Sequence, residues 1–260
     1  MTESSPPIIT LTTDFGHLDP YAGIMRGVIL GICPTARIVD LSHGVDPFDT
    51  EQAAFVVSQA VPHFPPGSIH MVVVDPGVGG PRHALIAKGR RACYVAPDNN
   101  VLGPLLAADG PATVHAIAAP DFLPRDRSTT FHGRDLFAPV AAHLAMGRPL
   151  AEFGPRVQED LAAPFEAPRE TEDGWRGKVL HADHFGNLIT NLPNTLYDAI
   201  ATLRVNGATV RPAHHYASVP PGQAGFVKGS VERIELFIRE GSARTVLCAG
   251  PGDAVVAERA

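Results

Sequence analysis

One change of rhythm constrains this chain more than any other feature. Residues 8–146 alternate short β-branched runs with stretches of helical period, and from Gly177 onward only short strand-like runs remain. Ile8–Thr13 is a compact run that stops at Asp14-Phe15-Gly16. Tyr21 to Gly31 then spaces Ile24 and Val28 at the helical period, and Pro34 ends it. The same reading predicts strands at 37–41, 69–74, 84–87, 92–96 and 113–117. It predicts helices at 50–61, with Thr50 as N-cap, and at 134–146. Parallel neighbours need a crossover between them, so this alternation implies an α/β layered domain with a largely parallel sheet.

From about Pro149 to Trp175 the period is lost in Pro, Glu and Asp, as expected of a linker. Beyond it the pattern predicts short strands at 178–182, 202–205, 208–211, 225–227, 233–238 and near Val255. Asn206-Gly207 between two apolar runs is a hairpin cue. The expected division is an N-terminal α/β domain over 1–155, a linker over 156–175, and a small antiparallel β-barrel-like domain over 176–260.

Composition narrows the function. With 45% hydrophobic and 18% charged residues, the chain can bury cores of ordinary size. Its formal charge is −6 and its densest basic run is Lys88-Gly89-Arg90-Arg91, read as a solvated turn. Nucleic acid is therefore not the expected partner, because phosphate contacts need clustered cations. No segment reaches the ~18 apolar residues a membrane span needs. MTESSPPIIT has no basic segment followed by an apolar one, so no secretory signal is expected. Cys33, Cys93 and Cys248 are isolated, which fits a cytoplasmic protein with reduced thiols.

In open α/β sheets, ligands bind beyond the carboxyl ends of the strands. Here those ends carry Thr13-Asp14, Ser42-His43-Gly44, Asp75 with a Gly-rich turn and Arg82, and Thr130-Phe131-His132-Gly133-Arg134-Asp135 before the last helix. Each has an ordinary explanation as a turn former, cap or structural histidine. Their arrival at one edge from four distant segments is what marks a site. Gly77-Val78-Gly79-Gly80 does not continue as a dinucleotide fingerprint, since position 82 is Arg, and no P-loop or zinc-protease signature occurs. His43, Asp46, Asp75, His132 and Asp135 match no closed metal-ligand spacing, so no metal is expected.

Five segments in order carry a family resemblance: TLTTDFGHLDPYAGIMRGVI (10–29), VVVDPGVGGPR (72–82), APDNNVLGPL (96–105), TFHGRDLFAP (130–139) and DHFGNLITN (183–191). Together they resemble the S-adenosylmethionine hydroxide adenosyltransferases, relatives of the fluorinases and chlorinases. The resemblance implies an α/β domain, a barrel-like domain, and a homotrimer with active sites between neighbouring subunits. It implies Asp75, Arg82 and His132 as the side chains that handle water, and Asp14 as the ribose-diol carboxylate with Phe48 near the ribose. Phe185 and Asn187 would contact adenine, and Asp183 and Ser230 the methionine end. Two positions depart from the family pattern. Asn100 follows the PDN segment where Gly is usual, a place an Asn fills by adopting a left-handed backbone, and Glu232 stands where Gly is common.

The expected reaction is hydrolysis of S-adenosylmethionine at ribose C5′, giving adenosine and methionine. The sulfonium leaves as a neutral thioether, so neither metal nor cofactor is called for. His132 serves either as base or as orienter of the water. Two alternatives stay open at this point: a halide-using enzyme on the same frame, and a non-catalytic module that binds S-adenosylmethionine or adenosine.

Overall fold

The computed structural model describes residues 5–158 and 160–260. Residues 1–4, part of the stretch read for a leader, and position 159, within the predicted linker, lie outside the described residues. The chain divides into two compact units, Met1–Pro164 and Phe165–Ala260.

The first unit contains β1 (Ile8–Thr13), α1 (Tyr21–Ile32), β2 (Arg37–Ser42), α2 (Thr50–Ala60), β3 (Ile69–Val73), β4 (Ala84–Lys88), β5 (Cys93–Pro97), α3 (Gly103–Asp109), β6 (Thr113–Ala116) and α4 (Ala138–Ala145). Its sheet runs β2-β1-β3-β5-β4-β6. β1 is parallel to β2 and β3, and β3 to β5, whereas β4 is antiparallel to both of its neighbours. The sheet is therefore largely parallel, with β4 and β5 forming the hairpin over Lys88–Arg91. Burial explains the unbroken apolar runs: every residue of β3 and β5 is buried. Ile9, Leu11, Met71, Ile86 and Val95 share a core with Met25 and Ile29 of α1 and Val140 of α4. Each such side chain contributes roughly 1.5–3 kcal/mol.

Two local expectations change. The N-cap of α2 is Asp49, whose carboxylate accepts from Gln52 N, and Thr50 is the first helical residue. The basic turn is anchored from beneath. Buried Asp109 accepts from Arg91 N, Ala92 N and the Tyr94 hydroxyl.

The second unit contains β7 (Arg169–Thr171), β8 (Gly174–Ala182), β9 (Leu188–Pro193), β10 (Ile200–Val205), β11 (Ala208–Val210), β12 (Ala224–Lys228), β13 (Arg233–Ile238), α5 (Ala243–Val246) and β14 (Ala254–Arg259). The sheet runs β11-β10-β14-β8-β9-β13-β12, with β7 paired to β8. The strand pairs are antiparallel. A bridge from Pro212 to Phe226 brings the two ends of the order together, which makes the unit barrel-like. Trp175, Leu188, Leu203, Phe226, Leu236 and Val255 fill it. The hairpin cue is realised between β10 and β11, where Asn206 and Gly207 both take positive φ, 46° and 81°. The end of the stretch read as linker is structured: β7 and the first residues of β8 belong to this sheet. Among the described residues no helix is long and apolar enough to cross a membrane.

Candidate active site

Strand register delivers the first set of groups. Thr13 of β1 pairs with Val73 of β3. The residues just past those ends, Asp14 and Asp75, therefore emerge at one edge of the sheet. A cavity of about 310 Å³ opens there, lined by Asp14, Phe48, Asp75, Val78 and His132 together with the rings of Phe15, Tyr21 and Phe131. The rings of Phe15, Tyr21 and Phe131 pack edge to face with centroids 5.2–6.1 Å apart.

Loops are stitched to one another around this opening. Gly16 N donates to His43 O at 2.7 Å, and Phe48 N donates to Asp14 Oδ2 at 2.9 Å. Phe48 takes a φ of 71°, and the residue is 69% exposed, an unusual setting for a large aromatic side chain. Gly79, at φ 78°, brings the 75–82 loop against the 129–132 segment; a Cβ there would stand 2.6 Å from Thr129 O. His132 is followed by a π-helical turn, Gly133–Phe137, that leads into α4.

Asp75, Arg82 and His132 are joined. Arg82 grips the Asp75 carboxylate two-fold, through Nε to Oδ1 at 2.8 Å and through Nη2 to Oδ2. The same Nη2 stands 2.9 Å from His132 Nδ1, and Nη1 donates to His83 O. The guanidinium carbon lies 5.5 Å over the Phe137 ring. Burial first, and the Arg82 charge second, lower the pKa of His132, which favours the neutral ring.

His43 was expected at the same edge, but it is 1% exposed and works beneath the site. Its Nδ1 meets the Thr13 hydroxyl at 2.8 Å and its Nε2 lies 3.1 Å from Asp40. Asp135 is held by Arg134 and by Ser128 N.

The second unit carries its own cavity, about 570 Å³, lined by Asp183, Phe185, Asn187, Tyr216, Phe237 and the 238–241 turn. Phe185 is 74% exposed there. The Asp183 carboxylate accepts from Phe185 N, Asn187 N and Asn187 Nδ2 at 2.8–3.0 Å. Ser230 lies exposed in the β12–β13 connection, outside that lining. Glu232 beside it takes φ 58°, and Asn100 takes φ 71°, so both non-glycine residues adopt the left-handed backbone. Sequence reading missed Tyr216 and Glu235. The Tyr216 hydroxyl donates to Glu235 Oε1 at 2.6 Å, and burial raises the pKa of Glu235. No local pattern announces this pair, which becomes adjacent only when β12 and β13 are in place.

A cavity lined by polar and aromatic side chains at the carboxyl ends of parallel strands, on a chain with an added barrel-like unit, defines a particular kind of α/β protein. Residues 9–154 match the SAM hydroxide adenosyltransferase N-terminal domain and residues 177–256 the corresponding C-terminal domain. The chain belongs to the SAM hydroxide adenosyltransferase family. It is 37% identical over 251 residues to an (R)-S-adenosyl-L-methionine hydrolase of Salinispora tropica, covering 95% of this chain and 96% of that one. A crystal structure of a conserved Thermotoga maritima protein superposes with a TM-score of 0.90 at 35% identity, covering 96% and 100% of the two chains. A fluorinase from an Actinoplanes species is more distant, 28% identical over 75% of this chain and 74% of its own length.

Proposed function

We infer that this protein hydrolyses S-adenosyl-L-methionine at ribose C5′, giving adenosine and L-methionine. The observation that carries the reading is the bonded Asp75–Arg82–His132 set, whose Asp75 and His132 line the first cavity, on a chain aligned almost end to end with an (R)-S-adenosyl-L-methionine hydrolase. A bond forms between the water oxygen and C5′. The C5′–S bond breaks with its electron pair on sulfur, and one proton passes to solvent. The thioether leaves neutral, so the step needs no metal and no cofactor. Holding the oxygen about 3–3.5 Å from C5′, in line with sulfur, supplies ~7–11 kcal/mol of the rate advantage.

The bonding of His132 supports one part for it. A guanidinium can only donate, so Nδ1 accepts, and the neutral ring carries its proton on Nε2. That N–H donates to the nucleophile and stabilises the oxygen as it becomes hydroxide-like. On this reading His132 orients the water and does not take its proton. Water has a pKa of about 15.7. A full positive charge about 4 Å away favours the anion by roughly 4 kcal/mol at an effective dielectric of about 20. Asp75 offsets much of the Arg82 charge, so the uncompensated cation beside the oxygen is the substrate's own sulfonium.

Asp14 is assigned to the ribose diol, Phe48 to the ribose face, Phe185 and Asn187 to adenine, and Ser230 to the methionine end. Asp183 is assigned to that end too, and its three hydrogen bonds also brace its own loop. We propose a homotrimer with active sites at subunit interfaces, supported by the exposed Leu18, Tyr21, Ile24, Phe48 and Phe185. The unpaired Cys33, Cys93 and Cys248 support a cytoplasmic setting.

A halide-using reaction is the second reading, motivated by the fluorinase relatives. A halide arrives already charged and asks for small neutral donors, whereas an acid, a guanidinium and an imidazole suit water. A purely binding module has no use for that bonded trio. Chromatography of S-adenosylmethionine incubations separates the three: adenosine, a 5′-halo-5′-deoxyadenosine, or no turnover.

A further inference from the structure

The Asp183 carboxylate does more than close a turn. Its Oδ1 accepts from two backbone N–H groups, Phe185 at 2.9 Å and Asn187 at 2.8 Å, which leaves Oδ2 facing the Asn187 side chain at 3.0 Å. A carboxylate oxygen only accepts. The Asn187 amide must therefore turn its NH₂ toward Asp183, and among the described residues nothing bonds to its Oδ1. Asn187 lines the cavity, and the groups its amide has left for a ligand are the acceptor Oδ1 and the remaining N–H of Nδ2. That order matches a 6-aminopurine, whose amino group donates next to a ring nitrogen that accepts. A 6-oxopurine presents an oxygen where the amino group would be, and two acceptors would then meet.

We propose that Asp183 is a positioning residue that locks the Asn187 amide in one orientation and thereby makes the site select 6-aminopurine nucleosides over 6-oxopurine ones. The proposal rests on the assignment of Asn187 to the purine. It yields a sharp substitution. In Asp183→Asn the two backbone N–H groups still claim Oδ1, so the turn is kept, and an NH₂ replaces Oδ2. Asn187 must then reverse, offering NH₂ to the cavity. In Asp183→Ser the hydroxyl still caps the turn while the amide is released.

Calorimetric titration of the full chain with adenosine and with inosine reads the outcome directly. The wild type is expected to favour adenosine by about ten- to hundredfold. Asp183→Asn should lose adenosine affinity and gain inosine affinity, moving the ratio by about tenfold or more. Asp183→Ser should bring the ratio toward one. In an Asn187→Ala background the Asp183→Asn change should leave the ratio where it stands. A wild-type preference unchanged in both Asp183 variants, or no wild-type preference at all, overturns the proposal and leaves the nucleoside site standing. A wild type that binds neither nucleoside overturns both.

Discussion

Asp14 Oδ2 accepts the backbone N–H of Phe48 at 2.9 Å, so the carboxylate assigned to the ribose also holds the loop that carries the neighbouring aromatic ring. Its other oxygen is the one left for a diol. Removing the side chain costs a charge-assisted bond to ligand and frees Phe48. Asp14→Ala is expected to weaken adenosine binding by about ten- to a hundredfold, by calorimetry. Unchanged affinity would rule out the ribose assignment.

The bond from Arg82 to His132 leads to a graded series. Arg82→Ala or His132→Ala should lower kcat by about 10²–10³ while adenosine affinity stays within a few-fold. His132→Gln keeps an acceptor for Arg82 and a donor for the nucleophile, so it should retain more turnover than His132→Ala. Equal loss in the Ala and Gln variants would mean that His132 acts as a base after all.

The pH dependence of turnover follows from the same geometry. Protonating His132 destroys the acceptor for Arg82 and sets two cations side by side. Its lowered pKa places that event below the ordinary 6.5, so the acid limb of kcat should be centred below pH 6.5. An acid limb centred above 6.5 would contradict the neutral, accepting imidazole.

Away from the site, His70 ties stability to pH. It is 1% exposed in β3, with Nδ1 on the Thr10 hydroxyl, its ring stacked on Tyr94, and Nε2 without a partner among the described residues. Burial lowers its pKa from 6.5 to about 4, against a smaller opposing effect of Asp109. The unfolded chain therefore binds the proton more readily between those values. Stability is fully present above pH 6.5, falls as pH drops from 6.5 toward 4, and levels below, a loss of about 3 kcal/mol. Urea unfolding of wild type and His70→Gln across that window should show the slope in the wild type and a flatter one in the variant.

Much of this was legible in the sequence because the signals were local. Runs such as Ile8–Thr13 and Ile69–Val73 are buried on both faces and announce themselves. Asn206-Gly207 carries its own turn geometry. α3 was missed because seven residues beginning Gly-Pro give no period, and β9 because Leu188–Pro193 mixes polar residues into a strand whose Thr190 and Asn191 are buried and hydrogen-bonded. The first cavity could be anticipated because Asp14 and Asp75 follow strand ends within two residues. The Tyr216–Glu235 pair could not, since nineteen residues and a strand pairing separate the two. Nor could the sequence tell that His43 turns under the sheet edge to Thr13 and Asp40 and away from the cavity.

Chloride is a further discriminator. With the Asp75–Arg82–His132 network in place, adding chloride to the reaction should leave adenosine as the product. Mass spectrometry that finds 5′-chloro-5′-deoxyadenosine as the main species would favour the halide reading.

The origin of the new oxygen tests the account most directly. Turnover of S-adenosylmethionine in water enriched in oxygen-18 should place the label in the 5′-hydroxyl of adenosine and leave methionine unlabelled. Adenosine without label at that position, or label found in methionine, would contradict attack by a bound water at C5′.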